Sequence, residues 1–153
     1  MNKKLSLLFL LFTFLFITSC EVVDYNKKKP NNFFYTKDLY NKVTSSENVK
    51  VLLFETNLHK EIDVTTEGVD TVKNFIENLK NESFISKPED LSEEAPYKFF
   101  VDIDEDRYVI NVYDDASVSL HPWDGVYSPD YINTSKVYKA YNLHKFSKYI
   151  LKK

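Results

Sequence analysis

Apolar and polar side chains alternate with a period of two between residues 97 and 120, and this pattern constrains the fold more than any other. Such alternation is typical of β-strands that bury one face. Polar turn sequences at residues 104–107 and 114–116 divide the region into three strands. We therefore predict three antiparallel strands joined by tight hairpins. Their inward residues are, in order, Phe99, Val101, Ile103, Tyr108, Ile110, Val112, Val118 and Leu120.

Further strands are predicted on both sides of this region. Residues 49–54 form a β-rich run typical of a central strand covered on both faces. Residues 60–65 alternate and should form a half-exposed strand that pairs with it through a hairpin at 57–59. After a loop at 122–135, residues 136–141 are predicted to return as another strand.

Helical spacing of apolar residues is clearest over 67–81, where Thr66 is the predicted cap, and in a last helix capped by Asn142. A short helix is also predicted over 36–45. The strands are linked by hairpins rather than by parallel crossovers. The fold class is therefore α+β, an antiparallel sheet of about five to six strands with two helices packed on one face.

The first twenty residues have the organisation of a lipoprotein signal peptide. Two lysines precede an apolar run over residues 5–17, which has the length of a signal-peptide core and is too short to span a bilayer. Residues 17–20 read Ile-Thr-Ser-Cys, the lipobox pattern of an aliphatic residue, two small residues and a cysteine. We expect residues 1–19 to be removed and Cys20 to carry diacylglycerol. The alternative is an ordinary secretory peptide that has a cysteine near its cleavage site.

Composition limits what the mature chain can be. Cys20 is the only cysteine, so a disulfide-stapled domain is excluded. Removal of 1–19 leaves 134 of the 153 residues and changes the formal net charge from −3 to −5, which argues against a nucleic-acid partner. Residues 20–32 are polar and are predicted to be a flexible tether before a single domain at 33–153. The tether lysines are either solvated or in contact with anionic headgroups.

The lipobox, the tether and the small α+β domain together resemble those of uncharacterised small lipoproteins of low-GC Gram-positive bacteria. Abundant Lys, Asn, Ile, Phe and Tyr fit an AT-rich genome. The resemblance implies a lipid-anchored protein on the extracytoplasmic face of the cell membrane. It implies no known activity.

Several kinds of site are excluded or weakened by the sequence. Two glycines, Gly68 and Gly125, cannot supply the common nucleotide-binding loops or a nucleophile elbow. The three histidines form no metal-binding pair along the chain. We therefore expect neither a cofactor nor a metal.

The acidic residues between positions 102 and 115 suggest a calcium site as one interpretation. The five carboxylates of Asp102, Asp104, Asp106, Asp114 and Asp115 are expected to converge at one edge of the sheet, and oxygen clusters attract calcium. An EF-hand loop is excluded because Arg107 and Tyr113 stand where glycine and glutamate are needed. Solvent-facing hairpin residues, with Arg107 relieving their repulsion, are the preferred interpretation.

Residues 121–131 form the candidate recognition loop, since they combine the single Trp with tyrosines and aspartates. Rigid aromatic side chains suit stacking on a sugar or insertion into a partner's pocket. The competing interpretation, slightly preferred, is that the Trp side chain plugs the core. The candidate recognition residues are His121, Trp123, Asp124, Tyr127 and Tyr131.

The leading functional hypothesis is a non-enzymatic envelope lipoprotein whose domain recognises an envelope protein or a wall glycan. The alternative is a hydrolase of envelope material with His121 and Asp124 in acid–base roles, although no nucleophile motif accompanies them. A purely structural or inhibitory module is a third hypothesis. An exposed Trp123 favours recognition, whereas a cleft with His121 beside buried carboxylates favours the enzyme.

Overall fold

The computed structural model describes residues 28–152 of the chain. The signal peptide, Cys20 and most of the predicted tether lie outside the described residues. In the described part, the three α-helices are α1 (Phe34–Ser45), α2 (Thr66–Glu77) and α3 (Leu143–Leu151). The seven strands are β1 (Val49–Glu55), β2 (Lys60–Asp63), β3 (Phe84–Ile85), β4 (Tyr97–Ile103), β5 (Asp106–Val112), β6 (Ser117–Pro122) and β7 (Asp130–Asn133). Within residues 28–152 no helix is both long and apolar enough to cross a membrane.

The strands form one antiparallel sheet in the order β2-β1-β4-β5-β6-β7-β3. Its centre is the predicted meander, in which Phe99 of β4 pairs with Ile110 of β5, and Ile110 pairs with Leu120 of β6. All three side chains are fully buried. The hydrophobic period of two therefore set the register of the central strands, because a slip by one residue exposes the whole apolar set.

The helices cover one face of the sheet and leave the other open. The core joins inward strand residues such as Leu53 and Val101 to Leu39, Phe75 and Leu143 of the three helices. Alternate strand positions point away from this core. The residues on this open face include Leu52, Phe54, Phe100, Asp102, Arg107, Val109, Asn111, Ser119, His121 and Tyr131.

The predicted fold class is confirmed, with seven strands in place of the five to six expected and three helices in place of two. The strand predicted at 136–141 is wrong: Lys139–Tyr141 is a 3-10 turn, and the returning strand is β7, inside the predicted loop. A charged residue, Asp130, occupies an inward position of β7 and hid its alternation. Strand β3, with two residues, is too short to show any period.

The two predicted helix caps differ in outcome. The side chain of Asn142 accepts a hydrogen bond from Lys145 N at 3.0 Å, so it caps α3 as predicted. The prediction for Thr66 is wrong, because α2 begins at that residue and Thr65 occupies the N-cap without a side-chain cap bond. The hydrophobic stripe of α2 is nevertheless buried as expected, with Val72 and Phe75 in the core.

Candidate binding face of the sheet

The candidate recognition loop spans the end of β6, the β6–β7 connection and the start of β7. Its tryptophan is exposed: 67% of Trp123 is accessible to solvent, so the core-plug interpretation is wrong. The backbone fixes this position, since Trp123 N donates to Arg107 O at 2.8 Å and Gly125 N donates to Pro122 O at 3.1 Å. Trp123 is therefore displayed on a hydrogen-bonded turn.

Trp123 continues a line of aromatic rings across the open face. Its ring centroid is 6.0 Å from that of Phe100, which lies 6.4 Å from that of Phe54. We call Phe54, Phe100 and Trp123 the aromatic row. Its members come from β1, β4 and the β6–β7 connection, and Val109 is buried on the same face. The row is a composite surface that forms only when the sheet assembles.

A charge pair borders the aromatic row. Arg107 contacts both oxygens of Asp102, with Nε–Oδ1 and Nη2–Oδ2 distances of 2.5 and 2.8 Å. Its guanidinium carbon lies 5.6 Å from the Phe100 ring centroid. These hydrogen bonds hold the pKa of Asp102 below its ordinary value. The pair thus presents a neutralised, planar polar group beside the rings.

Polar side chains lie on the same face over β5 and β6. Asn111 Nδ2 donates to Ser119 Oγ at 3.2 Å and lies 3.4 Å from His121 Nε2. Tyr113 Oη is 3.3 Å from the same Ser119 oxygen. We call Asn111, Tyr113, Ser119 and His121 the polar strip. Tyr131 stands opposite Ser119 in the register, and burial, followed by the nearby Tyr113, raises its pKa.

The candidate recognition residues therefore separate into groups. His121, Trp123 and Tyr131 belong to the open face, and Asp124 is exposed in the connection. Tyr127 instead packs towards the core, with its ring centroid 5.4 Å from that of Phe34 and its amide donating to Tyr35 Oη at 2.7 Å. Sequence reasoning did not find Phe54 and Phe100. The outward position of Phe100 was nevertheless readable, because its neighbours Phe99 and Val101 are inward.

Asp130, at the end of the loop, is fully buried and was also missed. Its Oδ2 accepts from the backbone N and the hydroxyl of Thr36, at 2.7 and 2.8 Å, in the first turn of α1. Its Oδ1 lies 2.6 Å from Lys29 Nζ, which also donates to the carbonyls of Ser128 and Pro129. An anion is favourable at a helix N-terminus. Lys29, predicted as part of the tether, thus fastens the entering chain to the recognition loop.

The expected convergence of five carboxylates is wrong. Asp102, Asp104 and Asp106 lie at the β4–β5 turn, whereas Asp114 and Asp115 lie at the β5–β6 turn. Successive turns of a meander lie at opposite ends of the strand they share. Asp115 instead pairs with His144 Nδ1 at 2.9 Å, and this hydrogen bond lowers the pKa of its carboxyl group. No group of three or more His, Cys, Asp or Glu in residues 28–152 is placed to hold a metal ion.

A second charged cluster lies on the helical side. Tyr108 Oη donates to Asp38 and accepts from Lys42 Nζ at 2.8 Å, and Lys42 also lies 2.9 Å from Asp106. Burial, followed by the bond to Asp38, raises the pKa of Tyr108 to about 12. Burial alone lowers the pKa of Lys42, but its three hydrogen bonds outweigh that effect and raise it. This cluster ties α1 to β5.

We predict that alkaline pH weakens the contact between α1 and β5. The pKa of Tyr108 is higher in the folded protein than the ordinary tyrosine value of 10.0. The associated stability is therefore fully present below about pH 10 and is lost as the pH rises towards 12. The free energy of unfolding in urea, measured across this range, should fall together with a late rise in tyrosinate absorbance. Tyr108→Phe should reduce the late rise by one tyrosine and leave the part due to Tyr35 and Tyr131, whose pKa values burial also raises. Tyr138→Phe, at an exposed site, should leave the late rise unchanged. A late rise of the same amplitude in Tyr108→Phe and in the wild type contradicts the assignment.

The arrangement around His121 gives no support to hydrolysis. Its Nδ1 lies 2.9 Å from Pro122 O, and its Nε2 faces Asn111. Neither contact is the carboxylate that would orient a catalytic base. A groove of about 510 Å³ borders β2, α2 and α3, and another of about 400 Å³ lies at the acidic β4–β5 turn. Neither groove is lined by His121.

The fold defines a small α+β domain with an antiparallel sheet, three helices on one face and an aromatic surface on the other. The chain belongs to the family defined by a domain of unknown function, DUF4883, whose model matches residues 29–147. The match begins at Lys29, which among the described residues is the first with a side-chain bond to the rest of the domain.

A solved structure supports the same assignment. The chain is similar to a crystal structure described as a putative lipoprotein from Clostridium perfringens, with 31% sequence identity and a TM-score of 0.75. The similarity covers 82% of this chain and 100% of that chain. No curated protein matches the chain. The comparisons therefore provide a family and a lipoprotein neighbour, but no activity.

Proposed function

We propose that this protein is a lipid-anchored protein of the extracytoplasmic face of the cell membrane, attached through Cys20. The lipobox at residues 17–20 supports this anchor, because it places an aliphatic and two small residues before the only cysteine. The similarity to a protein described as a putative lipoprotein supports it independently. Two acyl chains on one cysteine are enough for stable attachment.

The bound ligand contacts the open face of the sheet, and the role is recognition rather than catalysis. The observation that carries this part is the 67% exposure of Trp123 at the end of the aromatic row. An exposed Trp is costly to leave in water and is strongly enriched at binding hot spots. A component of the envelope, either a protein or a wall glycan, is the proposed ligand.

The anchor is tested by intact mass and membrane fractionation of the native protein. We predict that the wild type carries a diacylglycerol-sized addition and sediments with membranes, whereas Cys20→Ala lacks the addition and appears in the soluble fraction. Ser19→Ala is the matched control, since it keeps a small residue before the cysteine and should leave lipidation intact. An unmodified wild-type protein in the medium contradicts the proposal.

A further inference from the structure

We infer that the open face binds a glycan, an extended chain of uncharged pyranose sugars that lies along the aromatic row with its hydroxyl edges towards the polar strip. This inference rests on the proposed binding function of that face. It adds the class of ligand and three contact residues outside the recognition loop: Phe54, Phe100 and Asn111.

Ring geometry provides the first argument. Successive rings of the row are 6.4 and 6.0 Å apart, roughly the advance of one sugar along an extended chain, and successive ring planes are tilted by 58° and 56°. Aromatic ring faces carry partial negative charge, which attracts the weakly positive C–H face of a pyranose. Because neighbouring ring planes are tilted by more than 50°, the row is not a flat platform, and it fits one twisted chain better than a flat crystalline surface.

The position of the polar strip provides the second argument. Phe100 pairs with Val109, and Val109 pairs with His121, so His121 is two strands from Phe100. Two strand spacings are about 10 Å, within reach of the hydroxyl and acetamido groups of a sugar stacked on the row. The Asn111 amide and the His121 ring nitrogens offer hydrogen-bonding groups there. A glycan has an apolar face and a polar edge, and the open face places matching surfaces side by side.

Charge provides the third argument. Arg107 is held by both oxygens of Asp102, and Lys98 Nζ lies 3.5 Å from Glu94 Oε1. Lys50, on the same face, lies opposite Asp102 in the register and acts electrostatically on that carboxylate. An anionic peptide or lipid headgroup must therefore compete with acidic side chains that already lie beside these cations. An uncharged ligand meets no such competition. Binding should therefore depend little on ionic strength.

The test uses the mature full-length chain carrying Cys20→Ala and a series of β-1,4-linked N-acetylglucosamine oligomers, from disaccharide to hexasaccharide. Binding is measured by calorimetry and by the emission of Trp123, the single tryptophan of the chain. We predict that affinity rises with length until the row is filled. Trp123→Ala and Phe100→Ala should each weaken binding at least about ten-fold, as expected for the loss of a hot-spot ring.

Tyr138→Ala is the matched control, because Tyr138 is 69% exposed but lies outside the open-face strands. It should leave the affinity unchanged. Glucose oligomers of the same linkage show whether the acetamido group is needed, and either sugar series satisfies the inference. Circular dichroism and urea unfolding confirm that each variant is folded.

Other outcomes separate the inference from the proposed function. If no oligomer binds but a purified envelope protein binds in a Trp123-dependent manner, the glycan is wrong and the recognition function stands. Concentration-dependent self-association that Phe100→Ala abolishes also overturns the glycan, because the face is then covered by a second copy. If neither oligomers nor purified sacculi nor solubilised membrane proteins bind in a Trp123-dependent manner, both proposals fail.

Discussion

Replacing Asp130 with asparagine is expected to lower the free energy of unfolding by about 3–5 kcal/mol, the usual cost of breaking a buried ion pair on one side. The carboxylate is fully buried between Lys29 and the first turn of α1. An amide of the same shape leaves the Lys29 ammonium without its counter-ion. It also introduces an NH2 donor, which must face either the Lys29 ammonium or the amide and hydroxyl of Thr36, all of which are donors. Urea unfolding followed by circular dichroism measures the change.

Two controls isolate the pair. Asp124→Asn removes a carboxylate from the same connection at an exposed position and should change stability by less than about 0.5 kcal/mol. Lys29→Met should be destabilising in the same direction as Asp130→Asn, whereas Lys28→Met, one residue earlier and exposed, should be neutral. In a double-mutant cycle Lys29 and Asp130 should be strongly coupled. A near-neutral Asp130→Asn contradicts the buried pair.

Phe99→Ala and Phe100→Ala should separate the two faces of the sheet. Phe99 is fully buried and stacks on Phe146 of α3, with centroids 6.0 Å apart and ring planes 3° from parallel. Its truncation leaves a cavity in the core and should cost about 3–5 kcal/mol. Phe100, its neighbour on β4, faces the open side and is partly exposed, so its truncation should cost about 1 kcal/mol.

The ranking of the same two variants should be reversed when Trp123 emission is measured, since Phe100→Ala should then have the larger effect. Phe100→Ala removes the ring that contacts Trp123 and should shift the emission of the folded protein. Phe99→Ala should leave that emission close to the wild-type spectrum in the absence of denaturant. Equal destabilisation by the two substitutions contradicts the assignment of an open face.

Local patterns were enough to predict the central sheet, because burial of one face translates directly into a period of two, as at Phe99, Ile110 and Leu120. The same logic failed at β7, where the inward position is a charged residue. Asp130 is stable there because of Lys29, which is 101 positions earlier in the sequence. A partner at that distance leaves no local signal, so a charge in the core was interpreted as a charge in a loop.

The candidate site was predicted in part for a related reason. Trp123 was recognised as unusual, but its exposure depends on the turn at Gly125 and on a bond to Arg107 O in the neighbouring strand. The aromatic row needs β1 and β4 to be paired before Phe54 and Phe100 become neighbours. Residue type was therefore enough to identify Trp123, whereas Phe54 and Phe100 become part of the aromatic row only through strand pairing. The split of the acidic residues between two turns likewise follows from strand order.

Because Lys29 is bound beside the recognition loop, the length of chain before it limits the distance between the domain and its proposed anchor. With Cys20 as the proposed anchor, nine Cα–Cα steps join it to Lys29, a fully extended reach of about 30 Å. A domain confined to a hemisphere of that radius meets any ligand inside it at an effective concentration on the order of 10 mM. Weak contacts to single sugars are then sufficient for frequent occupancy. A ligand in the outer layers of the wall lies beyond the reach of this segment.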